Sequence, residues 1–339
     1  MTVSLTGYGR YVPDERITGA EIAERSGVPE EVVVEKMGIR EKRVCPPEAD
    51  HPTDMCVAAA EDALADAGRD AADLDLVLYH GSEFKDFVVW SAAADVAERL
   101  GAASAYATES YTLCAGAPVA LRQVRAQIAA GDVDSALLVA ASREEDLVDY
   151  GNGDSSFMFN FGSGASAMVV ERDAGDRSRA AVLGSGAVTD GSFSRDVVMP
   201  AGGTRNPPSE DTVAAGEHAL NVPDPDGMKE RLAPVSLPNF LDVTDEALER
   251  SGLARADVDF VALTHVKRSF HDYYFEEMGL DPETDGYYLD DYGHVQSVDQ
   301  VLALDEGLSR GRVEPGDVVC FVAAGTGYTW AATALRWRG

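Results

Sequence analysis

One block of this chain occurs twice, and that repetition limits the fold more than any other feature. Residues 62–81 place an Ala/Leu-rich run, a Gly, a short acidic loop and the apolar stretch Leu74-Asp75-Leu76-Val77-Leu78-Tyr79-His80 in that order; residues 246–265 do the same, a shift of 246 − 62 = 184. Ala63, Leu64, Gly68, Ala72, Asp73, Asp75 and Val77 recur as Ala247, Leu248, Gly252, Ala256, Asp257, Asp259 and Val261. A second echo joins Gly131-Asp132-Val133 to Gly316-Asp317-Val318, a shift of 316 − 131 = 185. Each copy reads as helix, Gly stop, loop and buried strand. Two echoes at nearly one offset predict a duplicated α/β unit, with one half over residues 1–171 and the other over 172–339.

Other elements follow from local signals. A strand is expected over 2–10, a helix opened by Thr18 through Ser26, a second helix over 29–37, and helices over 53–68 and 91–100. Strands are expected over 105–108 and 135–141. Residues 157–171 read as a loop running into a strand, with glycine at the bend. The Pro/Gly-rich segment 200–227 reads as a long loop able to cover or line a substrate entrance.

Cys114 stands between the 105–108 strand and the Ala-rich run 119–130, at a strand-to-helix turn with small neighbours Ala115, Gly116 and Ala117. An arbitrary free cysteine is a small buried hydrophobe. A helix start, however, offers unpaired N–H groups and a partial positive charge, which favour a thiolate and can hold an oxyanion. The duplication locates what should face it. Adding 184 or 185 to 114 gives Val298 or Asp299, so the counterpart of the cysteine turn lies within Tyr292-Gly293-His294-Val295-Gln296-Ser297-Val298-Asp299. If the halves pack about a pseudo-twofold axis, His294 and Asp299 approach Cys114. The second repeated strand ends at His265, at the strand end where α/β proteins place their chemistry.

The six histidines and four cysteines show no metal-ligand spacing and no CxxC pair, so neither a zinc site nor a disulfide framework is expected. His80 and His271 are secondary candidates beside the site; His51 and His218 read as surface groups. The chain carries 28 Lys+Arg against 59 Asp+Glu, a net −31, with only five Lys. Such a charge repels nucleic acid and anionic membranes and suits a high-salt medium. There is no signal-peptide pattern and no run of about 18 apolar residues. The protein is expected to be soluble and cytoplasmic. The runs Arg143-Glu144-Glu145-Asp146 and Ser209-Glu210-Asp211 read as solvated faces. Gly38-Ile39-Arg40-Glu41-Lys42-Arg43 reads either as a solvated turn or as a contact for an anionic carrier.

These residues resemble the β-ketoacyl synthase III family of the thiolase superfamily over nearly the whole chain. The resemblance rests on Gly38-Ile39-Arg40-Glu41, Cys114-Ala115-Gly116, Phe161-Gly162-Ser163-Gly164-Ala165, Tyr292-Gly293, Gly311 through Asp317, and Gly325-Thr326-Gly327-Tyr328-Thr329-Trp330, in that order. It implies an α/β, thiolase-like five-layered αβαβα fold from two duplicated halves, and a homodimer whose seam is the strand leading to Cys114. It also implies that Cys114 accepts an acyl group from coenzyme A or an acyl carrier protein, with no permanently bound cofactor. The oxyanion hole would be the N–H groups of Cys114 and Thr326, and the thioester tail would meet Arg40 and Lys36.

The departures from the family are informative. An Asn that usually follows Tyr/His-Gly is here His294, and the usual Pro-His-Gln-Ala-Asn is Thr264-His265-Val266-Lys267-Arg268. A coenzyme A-binding Arg aligns with Ser155, and a Trp aligns with Val32, which favours a carrier protein as donor. Gly293-His294-x4-Asp299 resembles the branch of acyltransferases and starter-unit enzymes of natural-product pathways. His with a carboxylate partner is a general base for an alcohol, amine or thiol acceptor. The sequence thus points to an acyltransferase using Cys114, His294, Asp299 and His265. The alternatives are a condensing enzyme acting on a malonyl thioester and, outside catalysis, a partner subunit of an active homologue.

Overall fold

A computed structural model describes all 339 residues. The strands are β1 (Val3–Tyr11), β2 (Arg16–Thr18), β3 (Glu41–Arg43), β4 (Leu76–Tyr79), β5 (Tyr106–Glu109), β6 (Ser135–Ser142), β7 (Gly164–Arg172), β8 (Ala180–Thr189), β9 (Phe260–Leu263), β10 (Val318–Gly325) and β11 (Thr329–Trp337). The helices are α1 (Gly19–Ser26), α2 (Pro52–Ala67), α3 (Ala92–Leu100), α4 (Gly116–Ala130), α5 (Glu210–Ala214), α6 (Pro225–Leu232), α7 (Ser236–Glu249), α8 (Arg268–Met278) and α9 (Asp299–Ser309).

Nine strands form one sheet in the order β5-β4-β6-β7-β1-β8-β11-β10-β9. The order reads the same outward from its middle. Beyond β1 lie β7, β6, β4 and β5; beyond β8 lie β11, β10 and β9. A parallel bridge from Val261 of β9 to Gly286 stands where the other arm's counterpart of β5 would lie. The two arms meet through only two residue pairs, Ser4 with Ala181 and Leu5 with Ala180. The repeated blocks occupy matching places. Helix α2 ends at Gly68 and leads to β4, while α7 is followed by Gly252 and β9, with both glycines in the left-handed region that stops a helix.

Strand alternation accounts for the layers. Leu76 and Leu78 of β4 turn toward α4 and α9, in a core shared with Phe260, Phe321 and Leu335 of the other arm. Val77 and Tyr79 turn the other way, onto α2 and α3. On the far arm, Val261, Val322 and Ala332 pack on α7 and α8. The sequence of layers is therefore helix, sheet, helix, sheet, helix: the five-layered αβαβα arrangement expected from the resemblance. It also explains why the parallel strands are apolar on both faces. Deleting one large side chain from the central layer costs about 2–5 kcal/mol.

Three local expectations needed correction, and a fourth held with a change of helix type. Residues 29–37 hold the expected helical segment, helical from residue 30 to 36, with Val32–Lys36 wound as a π-helix. Within 38–43, β3 pairs with β2, and strand alternation turns Lys42 fully inward, so it cannot meet a carrier. Arg143 and Glu144 are buried rather than solvated. The 200–227 segment contains α5 and the start of α6, and α6 supplies a wall of the main cavity.

Candidate active site

Cys114 is presented by a strained turn. Leu113 adopts φ +50°, a 3₁₀ turn spans Leu113–Ala115, and α4 starts at Gly116. A left-handed backbone at a non-glycine residue costs on the order of 1 kcal/mol and persists only where surroundings enforce it. They do so here by close approach. A Cβ on Gly116 would lie 2.4 Å from the His80 carbonyl oxygen, and one on Gly325 would lie 2.1 Å from that of Thr112. The ends of β4 and β10 thus clamp the cysteine turn from two sides.

The facing group is built the same way. His294 is held at its backbone, its N–H donating to the Asn160 carbonyl (2.7 Å) and its carbonyl accepting from Gly162 N–H (2.9 Å). Then Gln296 adopts φ +58°, a 3₁₀ turn spans Gln296–Val298, and α9 starts at Asp299. Left-handed residue, 3₁₀ turn and helix recur at an offset of 296 − 113 = 183. Two copies of one turn, meeting within the central layer at the starts of α4 and α9, bring their side chains into register.

The result is a straight relay. Cys114 Sγ lies 3.0 Å from His294 Nε2, and His294 Nδ1 lies 2.6 Å from Asp299 Oδ2. All three residues are buried. Asp299 also accepts from Thr264 Oγ1 (3.0 Å), His265 N–H (2.7 Å) and, through Oδ1, Val295 N–H (2.7 Å). Burial opposes charge at both members of the pair. Nevertheless, Asp299 and the Cys114 sulfur hold the His294 imidazolium well above its ordinary pKa, and His294 together with the backbone donors holds Asp299 below the usual carboxylate range.

His265 stands beside them with its ring 4.8 Å from that of Tyr288 and neither ring nitrogen bonded to protein. Burial depresses its pKa to about 3. Cys114, His265, His294 and Thr326 all line one cavity of about 520 Å³, whose walls include Phe157, Phe161, Met228, Leu232, Phe240 and Phe270. Lys36 and Arg40 do not line it. Arg40 is ion-paired with Asp290 and Asp291 elsewhere. The lysines at the cavity are Lys229 and Lys267, both exposed. His80 and His271 are buried outside the lining, and His271 stacks on Phe275 at 4.5 Å. No group of three or more His, Cys, Asp or Glu side chains converges as a metal site. Sequence reasoning missed Glu144, Gln296 and Asn160. None carries a motif; Glu144 and Gln296 are marked only by burial close to His294, and Asn160 only by its carbonyl, which accepts from His294 N–H.

Residues 109–191 match the family described as 3-oxoacyl-[acyl-carrier-protein] synthase III, and residues 248–337 match its C-terminal part. The β-ketoacyl-[acyl-carrier-protein] synthase III of Symbiobacterium thermophilum is 30% identical over 335 residues, spanning 99% of this chain and 98% of that protein. The chain belongs to the β-ketoacyl-[acyl-carrier-protein] synthase III family. It is therefore an acyl-transferring enzyme of thiolase-like fold. Solved synthase III structures agree with the architecture: that of Pseudomonas aeruginosa PAO1 superposes with TM-score 0.85 at 24% identity, covering 100% of this chain and 99% of the other. The priming β-ketosynthase of the R1128 polyketide pathway gives TM-score 0.83 at 25% identity, covering 99% and 96%. No helix of this synthase III relative is long and apolar enough to cross a membrane.

The buried histidines carry a pH signature. Burial lowers the pKa of His80 and His265 to about 3 and of His271 to about 4. Below the unfolded value of about 6.5 the unfolded chain binds more protons than the native one, so each of these groups removes stability as pH falls. His271→Phe keeps the stack on Phe275 and removes one such proton. Its stability relative to wild type, from urea unfolding in molar salt, should rise by on the order of 2 kcal/mol between pH 8 and pH 5. A pH-independent difference would show that His271 is not held neutral.

Proposed function

We propose that the protein is a thioester-dependent acyltransferase that carries the acyl group on Cys114 and passes it to a small-molecule nucleophile or a carrier. The Cys114–His294–Asp299 relay carries this reading. Cys114 gives its proton to His294, and the thiolate attacks the thioester carbonyl. The resulting oxyanion would be held by the N–H groups of Cys114 and Thr326. The donor thiolate leaves and takes the proton from His294. An incoming hydroxyl, amine or thiol then loses its proton to neutral His294 Nε2 as it attacks the acyl-cysteine, and the Cys114 thiolate is expelled. Asp299, already fixed by three other donors, sets the tautomer with Nδ1–H toward itself and Nε2 toward the sulfur.

One observation favours a second reading, decarboxylative condensation with a malonyl thioester. His265 offers two unbonded ring nitrogens to the same cavity, and with His294 it could stabilise an enolate. The two readings part on mutation. For a transferase, Asp299→Asn should still load Cys114, seen by intact mass, while discharge to nucleophiles drops by on the order of ten-thousandfold. His294→Asn should abolish discharge. Carbon dioxide release from a malonyl thioester by His294→Asn at or above the wild-type rate, together with normal transfer by Asp299→Asn, would replace transfer with condensation.

The donor's tail is proposed to be a phosphopantetheine arm, on carrier protein or coenzyme A. Two of only five lysines, Lys229 and Lys267, stand unpaired at the cavity in a chain of net charge −31. Reversing both to Glu should raise the KM for a phosphate-bearing thioester about tenfold at low salt, less in molar salt, and leave an N-acetylcysteamine thioester unaffected. Equal effects on both donors would exclude a phosphate contact.

The working unit is proposed to be a homodimer. The edge strand β5 has no outer partner, and the nearby loop exposes Val88 (88%) and Val89 (100%). Sedimentation in molar salt, where charge repulsion is screened, should return a dimer; a fully active monomer there would contradict it.

A further inference from the structure

Behind the relay lies a second buried acid with no part in the proton path. Glu144 is only 8% exposed. It sits in the short 3₁₀ turn Glu144–Leu147 that follows β6. One carboxylate oxygen accepts from Ser82 Oγ at 2.6 Å, and the other accepts from the Gln296 side-chain amide. Ser82 Oγ in turn accepts from Phe84 N–H at 2.9 Å. The carboxylate therefore joins three segments: the residues after β4, the turn after β6, and the turn between His294 and Asp299.

Gln296 is the residue in that last turn with a left-handed backbone, at φ +58°. Its counterpart Leu113 is wedged by the backbone packing of Gly325 against Thr112. At Gln296 the side chain does the holding, since its amide is buried and tied to Glu144. Were Gln296 to relax to an ordinary backbone, His294 and Asp299 on either side of it would lose their common register.

We propose that Glu144 is a positioning residue for the His294–Asp299 pair, acting by anchoring Gln296 in its left-handed conformation and so fixing the distance from His294 to Cys114. This rests on the roles given above to Cys114, His294 and Asp299. A buried carboxylate is costly unless bonded, and two side-chain donors satisfy this one. Burial raises its pKa, offset in part by Ser82, His294 and Gln296.

The test compares wild type, Glu144→Gln, Gln296→Gly and the double variant. Two quantities are read: the pH profile of Cys114 alkylation by iodoacetamide, and acyl loading of Cys114 from an acyl-pantetheine. Misplacement of a reacting group by about 1 Å can cost a hundredfold. Glu144→Gln should slow alkylation about tenfold or more and move the pH at which the thiolate forms. The double variant should recover to within about threefold of wild type, because glycine takes the left-handed conformation without a tether. An unchanged pH profile in a folded but less heat-stable Glu144→Gln would mean a purely structural role and overturn the proposal. So would a loss that Gln296→Gly fails to rescue. Should Glu144→Gln not fold, Gln296→Met should lose reactivity while Gln296→Gly keeps it, and equal behaviour of the two overturns the idea. If wild-type Cys114 is alkylated with a His294-dependent profile yet accepts no acyl group, the functional reading fails while the positioning role stands.

Discussion

The site depends on one carboxylate. Asp299 is buried at the first turn of α9 and accepts four hydrogen bonds, from Thr264, His265, Val295 and His294. An isolated charge in that place would be expelled or neutralised. Three fixed donors and the helix start make it tolerable, and what remains is aimed at one imidazole nitrogen. The other nitrogen meets the sulfur of Cys114. Because Asp299 also binds the backbone of His265, one residue sets the position of both histidines, one just past the end of β9 and the other just before the turn that starts α9.

The same logic explains why His265 and His294 differ. Both are buried, so desolvation acts against charge in each. His294 has a carboxylate and a sulfur at its two nitrogens and gains a raised pKa; His265 has neither on its ring and is held neutral. Two imidazoles in one cavity thus serve distinct protonation states at a single pH, one able to move a proton and the other limited to donating or accepting a hydrogen bond.

Much of this was legible in the sequence because the duplication is. The offset of 184 or 185 located the Asp299 region opposite Cys114 before any geometry was known, and the helix–Gly–strand blocks fell where read. The layered fold, inferred from the family resemblance, holds. Two of the misreadings, at Lys42 and Glu144, share one cause: polarity was taken for exposure. Lys42 lies fully buried with its Nζ donating to the Phe161 carbonyl at 2.6 Å, and Glu144 lies under the His294 turn. A single buried polar residue leaves no periodic trace, so only tertiary contacts reveal it. Likewise Arg40 could be read as an anion contact, but its neighbours Asp290 and Asp291 are distant in sequence from it and neutralise it.

The narrow join between the two arms of the sheet has a further consequence. Only two residue pairs bridge β1 and β8, so the sheet itself is a weak ruler for how far one arm stands from the other. The sulfur stands at the start of α4 and the imidazole just before the start of α9, and their 3.0 Å spacing is set where these two helix starts meet inside one packed core. Side chains such as Val124 of α4 and Val301 of α9, buried in that core and outside the cavity lining, hold the two helix starts together: the bulk they supply is a parameter of the chemistry as much as of the fold.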